Sequence, residues 1–127
     1  MVTIIYTIIF MLLVDSLYLS TIGKYLFKDM VQTIQHKPLT LNVWGVLGSY
    51  TSLMILLYVF IFENSSKNNL LFKAFLLGFF VYGVFDFTNL ALFTDYNILH
   101  GLVDMIWGGT LFVIVTWFWF WIQIRDE

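Results

Sequence analysis

The sequence contains no cysteine, which rules out disulfide frameworks, thiolate nucleophiles and Cys-ligated zinc or iron–sulfur centres. It has a single proline, Pro38, so long stretches carry nothing that would interrupt a helix. Charge is scarce as well. Only 11% of residues are Asp, Glu, Lys or Arg, and the net charge is −2. Such a chain offers neither a basic footprint for nucleic acid nor an acidic tail, and nucleic-acid partners are not expected. No lysine stands in the middle of an apolar run, which argues against a retinal-type Schiff base. No P-loop, dinucleotide fingerprint or supported Ser-His-Asp arrangement is present.

What the chain has in abundance is apolar surface. Of its 127 residues 61% are hydrophobic, and the mean hydropathy is +0.89. A soluble domain of this length would leave much of that surface in water, whereas lipid accepts it. The composition therefore predicts a single all-α, multi-pass membrane domain, with the lipid bilayer as its surroundings. Four runs approach the roughly 20 apolar residues that a bilayer core requires of a helix. They cover about residues 2–22, 43–62, 70–93 and 101–121. The first lacks a basic start and a small-x-small cleavage site and carries Asp15 and Tyr18, so it is expected to be a retained span and not a signal peptide.

Between the first two spans, Phe27, Met30, Val31 and Ile34 repeat at helical spacing, with Lys28, Asp29, Gln32 and Gln35 on the other face. This pattern predicts an interfacial amphipathic helix over about 24–36, stopped near His36 because Pro38 disfavours helical geometry before it. Polar turns follow the second span, around Asn64, Ser65, Ser66 and Lys67, and the third, around Asp95 and Asn97. The run from Trp117 to Trp121 reads as an aromatic belt, and Arg125, Asp126 and Glu127 leave the membrane. Lys24, Lys28 and Lys37 lie on one side and Lys67, Lys73 and Arg125 on the other, so the positive-inside rule assigns no orientation.

Counting helical rise brings the acids of three spans level. Asp15 lies seven residues before the end of the first run, Asp86 seven before the end of the third, and Asp104 three after the start of the fourth. In an up-down-up-down bundle all three then sit about 5 to 12 Å in from the same side. Tyr18, Ser49, Ser52, Tyr82, Thr88 and Asn89 share that half-layer. On the third span Gly78, Tyr82, Asp86 and Asn89 form one narrow stripe. Three ionised carboxylates there would repel, and desolvation adds to the penalty, so a shared proton or a bound cation is expected. The competing interpretation is structural, with the acids only accepting hydrogen bonds that lock the helices. Gly45, Gly48 and Ser52 on the second span, with Gly78 and Gly108, read as helix-packing positions. His100 and Asp104 have an i, i+4 spacing, but with His36 a whole span away they do not amount to a metal site, and no cofactor is expected.

Two short segments echo one another: Asp15-Ser-Leu-Tyr18 and Asp104-Met-Ile-Trp107 both place an aromatic ring three residues after an acid, on the same helix face. With Tyr82-Gly-Val-Phe-Asp-Phe-Thr-Asn-Leu-Ala91 and Asp104-Met-Ile-Trp-Gly108, the chain resembles a family of small predicted four-helix membrane proteins over nearly its full length. Its first-helix motif differs in having Tyr18 where that family more often has Trp. The resemblance implies the four-helix architecture and marks Asp86, Thr88, Asn89, Asp104 and Trp107 as motif residues, but implies no activity. From the residues, the leading expectation is a proton- or cation-binding channel or carrier working as a homo-oligomer, with Asp15, Tyr18, Tyr82, Asp86, Thr88, Asn89, Asp104 and Trp107 at its site. The alternatives are a protein that binds a lipid or apolar ligand, or modifies lipid, and an accessory subunit of a larger membrane complex.

Overall fold

A computed structural model of the protein describes residues 1–64 and 66–126, and every regular element among them is helical. Ser65 of the turn after the second span and Glu127 of the terminal segment lie outside the described residues. Four helices, Val2–Gln35, Val43–Phe62, Leu70–Leu92 and Ile98–Arg125, are long and apolar enough to cross a membrane. The protein is accordingly an integral, multi-pass membrane protein.

The first of these helices is longer than the sequence suggests. α1 (Val2–Tyr18) continues through one π-helical turn, Leu19–Gly23, into α2 (Lys24–Gln35), with no loop at Ile22. A wide turn displaces backbone carbonyls from their usual partners. Here the Ser20 and Thr21 hydroxyls both donate to the Leu17 carbonyl, so the helix can pass through the turn unbroken. At 1.5 Å per residue the 34 residues extend about 51 Å, well beyond a hydrocarbon core of about 30 Å. The added length is α2, which buries Leu26 and Met30 and exposes Lys24, Lys28, Asp29 and Gln32. His36, with φ 60°, ends it in the left-handed conformation two residues before Pro38.

α3 (Val43–Leu57) starts at Asn42, whose side chain accepts from the Trp44 and Gly45 amides at 3.0 and 3.1 Å. It runs on through a second π-helical turn, Tyr58–Phe62. α4 (Leu70–Leu92) and α5 (Ile98–Asp126) then form the tightest pair in the bundle. Their close approach depends on glycine: a Cβ built on Gly78 would stand 2.8 Å from the Gly108 carbonyl carbon, and one on Gly108 would overlap the Tyr82 ring. α5 also packs along α1, antiparallel to it, and so forms the axle of the bundle.

Away from the acids the interior is dense and apolar. Met11, Leu57, Leu111, Phe112 and Val115 are completely buried. Of the aromatic run, Trp117 and Trp121 face outward as a belt would, but Trp119 is buried, stacked on Phe62 at 4.3 Å and edge-on to Tyr58 at 6.1 Å. α3 is held firmly only at this end. Its small-residue stripe does not serve helix packing within the chain: Gly45, Gly48 and Ser52 are exposed, and a Cβ on Gly48 would meet nothing within 4 Å. The reason is angular. Met54 and Leu57 are the residues that α3 buries, and they place the stripe on the far side of the helix.

Replacing Gly108 with Val should therefore destabilise the bundle by about 1–3 kcal/mol, the usual cost of overpacking. Gly48→Ala, which meets nothing, should instead stabilise by about 0.4–1 kcal/mol through helix propensity. Unfolding of the purified variants in detergent measures both, and equal effects would contradict the packing described here.

Candidate functional site

Asp15, Asp86 and Asp104 come from three different helices, and all three are buried, at 5%, 0% and 6% exposure. They meet in one layer because the helix pairs are antiparallel, so a step toward one end of a helix is matched by a step back along its neighbour. That reciprocity makes the two Asp-x-x-aromatic segments interlock. The Trp107 indole N–H donates to Asp15 Oδ1 at 2.8 Å, and the Tyr18 hydroxyl donates to Asp104 Oδ1 at 3.0 Å. The two rings stack between these bonds, with centroids 4.6 Å apart and planes within 11°. Each helix thus gives an acid to the other's ring and a ring to the other's acid. Hydrogen bonds of this kind between membrane helices contribute about 0.6 kcal/mol on average, and a stacked pair about 0.5–1.5 kcal/mol.

The second oxygen of Asp15 accepts from the Tyr50 hydroxyl of α3, which ties that helix to the layer. Asp86 lies against the α5 backbone at Gly101, where a Cβ would stand 3.2 Å from its own Cβ. Its Oδ1 accepts from the Tyr96 hydroxyl in the α4–α5 turn. Tyr96 is outside the spans and 8% exposed. Burial first, and then the bond to Asp86, hold its phenol above the ordinary value, so it remains a donor and not a source of protons. Asp86 Oδ2 is fully buried and receives no hydrogen bond from any donor. Asp104 stands three residues beyond Gly101 on the same face of α5, which sets its carboxyl in the same layer beside Asp86. Two carboxyls in one buried layer repel when both are ionised, and a proton shared between them would turn that repulsion into a hydrogen bond.

Tyr82, one turn before Asp86 on α4, packs its ring against Gly108 of α5, one residue past Trp107. The structure thus brings Asp15, Tyr18, Tyr82, Asp86, Asp104 and Trp107 together. It leaves Thr88 outside, exposed on the outer face of α4, and puts Asn89 half-buried beside Tyr96. Ser49 and Ser52 share the depth but not the direction, and their hydroxyls bond to the Gly45 and Gly48 carbonyls of their own helix. His100 does not pair with Asp104. Its Nδ1 sits 2.8 Å from the Leu26 carbonyl oxygen and, with the Asn97 amide donating to Met30 Sδ, fastens α2 over the α4–α5 turn. The residues that sequence reading missed are Tyr50, Tyr96 and Gly101. The depth count that found Asp15 also reaches Tyr50, but no pattern in the sequence marks Tyr96, whose position depends on the turn.

Because the Tyr18 and Trp107 rings touch and serve opposite acids, Tyr18→Phe and Trp107→Phe should not be additive. A double-mutant cycle on unfolding is expected to give a coupling of about 0.5–1.5 kcal/mol. Strict additivity would show that the two bonds act separately.

No curated protein and no solved structure matches the chain. A family model does, over residues 1–121, and its description is "Predicted membrane protein (DUF2177)". The match covers nearly the whole chain, and with four helices apolar enough to cross a membrane agreeing with its description, the chain belongs to the DUF2177 family of predicted membrane proteins.

Proposed function

We propose that the protein is a proton-binding membrane carrier whose proton resides between Asp86 and Asp104. The observation that carries this reading is the unpartnered, fully buried Asp86 Oδ2, in one layer with a second buried carboxyl, Asp104, one turn along α5 from the Gly101 that Asp86 touches. A purely structural acid has its oxygens matched by donors, as Asp15 does with Tyr50 and Trp107. Asp86 and Asp104 have one such donor each, Tyr96 and Tyr18, and in this reading the proton they share supplies the bond that Asp86 Oδ2 lacks. Losing it leaves two negative charges in one layer of low dielectric constant, so proton release is coupled to whatever next neutralises the layer.

Access from water is shortest on the side of the α4–α5 turn, where Tyr96 separates Asp86 from the surface. The opposite half of the bundle is closed by Met11, Leu57, Leu111, Phe112 and Val115, with no room for an aqueous path inside one chain. This supports a working unit that is a homo-oligomer or part of a larger membrane complex.

Infrared spectra of the protein in lipid should contain a protonated-carboxyl band near neutral pH that disappears in Asp86→Asn. Proteoliposomes carrying a pH-sensitive dye should show proton flux that the same substitution abolishes, while Asp95→Asn in the exposed turn leaves it intact. Flux that persists in Asp86→Asn, or the absence of a protonated-carboxyl band, would refute the proposal.

A further inference from the structure

Between α1 and α3 the bundle leaves a groove of about 310 Å³, whose walls include Ile8, Leu12, Leu47, Tyr50, Met54 and Ile55. All of these are mid-span residues, so its open side faces hydrocarbon. On α3 the lining runs from Val46 to Ile55, which is about 14 Å of helix. An extended alkyl chain lying along the two spans matches that length and the apolar walls.

One feature of the groove is not apolar in consequence. Tyr50 is part of its wall, and the Tyr50 hydroxyl is donated to Asp15. Tyr50 thus stands between the groove and a buried acid. Asp15 has only neutral donors, Tyr50 and Trp107. The six Lys and Arg of the chain, at 24, 28, 37, 67, 73 and 125, all lie outside the mid-span layer of the acids. The layer thus holds an acid without a countercharge, next to the stacked Tyr18 and Trp107 rings whose faces attract cations.

We infer that the groove admits a lipophilic monocation, an amine or quaternary ammonium with an alkyl tail, whose charged end displaces the Tyr50 hydroxyl from Asp15. The tail lies along Leu12, Leu47 and Met54. This names a cargo class for the carrier proposed above and rests on that reading. Entry of one positive charge is balanced by loss of the one proton held between Asp86 and Asp104, so the charge of the layer is the same before and after.

The test is equilibrium binding of radiolabelled decyltrimethylammonium to the full chain in nanodiscs of zwitterionic lipid, with neutral decanol as competitor. Saturable binding of one cation per chain is expected, with decanol a weak competitor. Asp15→Asn should weaken binding by about tenfold or more, the scale of a lost desolvated cation contact. Leu47→Trp, which fills the groove from its outer wall and leaves every acid in place, should weaken it comparably. Tyr50→Phe, which removes the competing hydroxyl, should strengthen it. Binding indifferent to Asp15→Asn while Asp15→Asn remains folded, binding displaced equally by decanol, or binding unaffected by Leu47→Trp would each overturn the inference. The first two results identify a groove for neutral lipid chains. The infrared band of the Asp86–Asp104 proton is read on the same samples: its loss on adding the cation supports the exchange. Asp15-dependent binding with no such band in the free protein disproves the proton reading and leaves the cation site standing.

Discussion

A carboxyl group inside a bilayer cannot turn to water for its hydrogen bonds, so its donors must come from neighbouring helices. In this protein that requirement organises the bundle. Asp15 on α1 takes its donors from α3 and α5, Asp104 on α5 takes one from α1, and Asp86 on α4 takes one from the turn leading into α5. Each acid thereby joins its own helix to another element. An intramembrane acid costs at least about 2.5 kcal/mol to place, more than any one of these bonds returns, so stability alone gives no reason to keep three of them in one layer.

The location of that layer was legible in the sequence because it follows from two constants, a rise of 1.5 Å and 3.6 residues per turn. Those constants bring Asp15, Asp86 and Asp104 level. They also put Tyr18 and Trp107 on the faces of their acids, and antiparallel packing does the rest. Direction around the helix was harder to read where no acid fixed it. Ser49, Ser52, Gly45 and Gly48 look like a packing stripe, yet α3 turns Met54 and Leu57 inward and leaves the small residues outside. In hydrocarbon both faces of a span are apolar, so the periodicity that separates inside from outside in a soluble helix is nearly absent. α2 shows the contrast: its charged face is exposed, and of the expected apolar face Met30 is buried while Phe27, Val31 and Ile34 are half-buried, with Leu26 the inward residue that the periodicity did not mark. What composition did not convey there was that Ser20 and Thr21 would carry the helix through a wide turn where a break had seemed natural.

Tyr96 illustrates a different limit. It follows Asp95 in a segment whose polar neighbours identify a turn and nothing more. Its hydroxyl reaches Asp86 only because α5 begins at Ile98 and brings Gly101 against the acid, a contact ten or more residues from the motif that drew attention to Asp86. Side chains on turns are positioned by the elements they join, and that information is not local.

The same geometry points to the element that would move if the carrier reading is right. α4 and α5 are locked by glycine contacts in which backbones touch, and α1 is fastened to α5 by the reciprocal acid–ring pairs and by the Phe10–Phe118 stack at 3.9 Å. α3 has no comparable seam. It is attached near its C-terminal end around Trp119 and, toward the other end, through the Tyr50 hydroxyl on Asp15. In its N-terminal half α3 makes one side-chain hydrogen bond to the bundle, worth about a kilocalorie, so a ligand competing for that bond shifts this half measurably while Met54 and Leu57 stay in the core. Opening at Tyr50 would uncover Asp15 toward the lipid, whereas Asp86 lies against Gly101 between the two helices that are locked together. Cargo and proton would then enter the acid layer by separate routes and meet only through its charge.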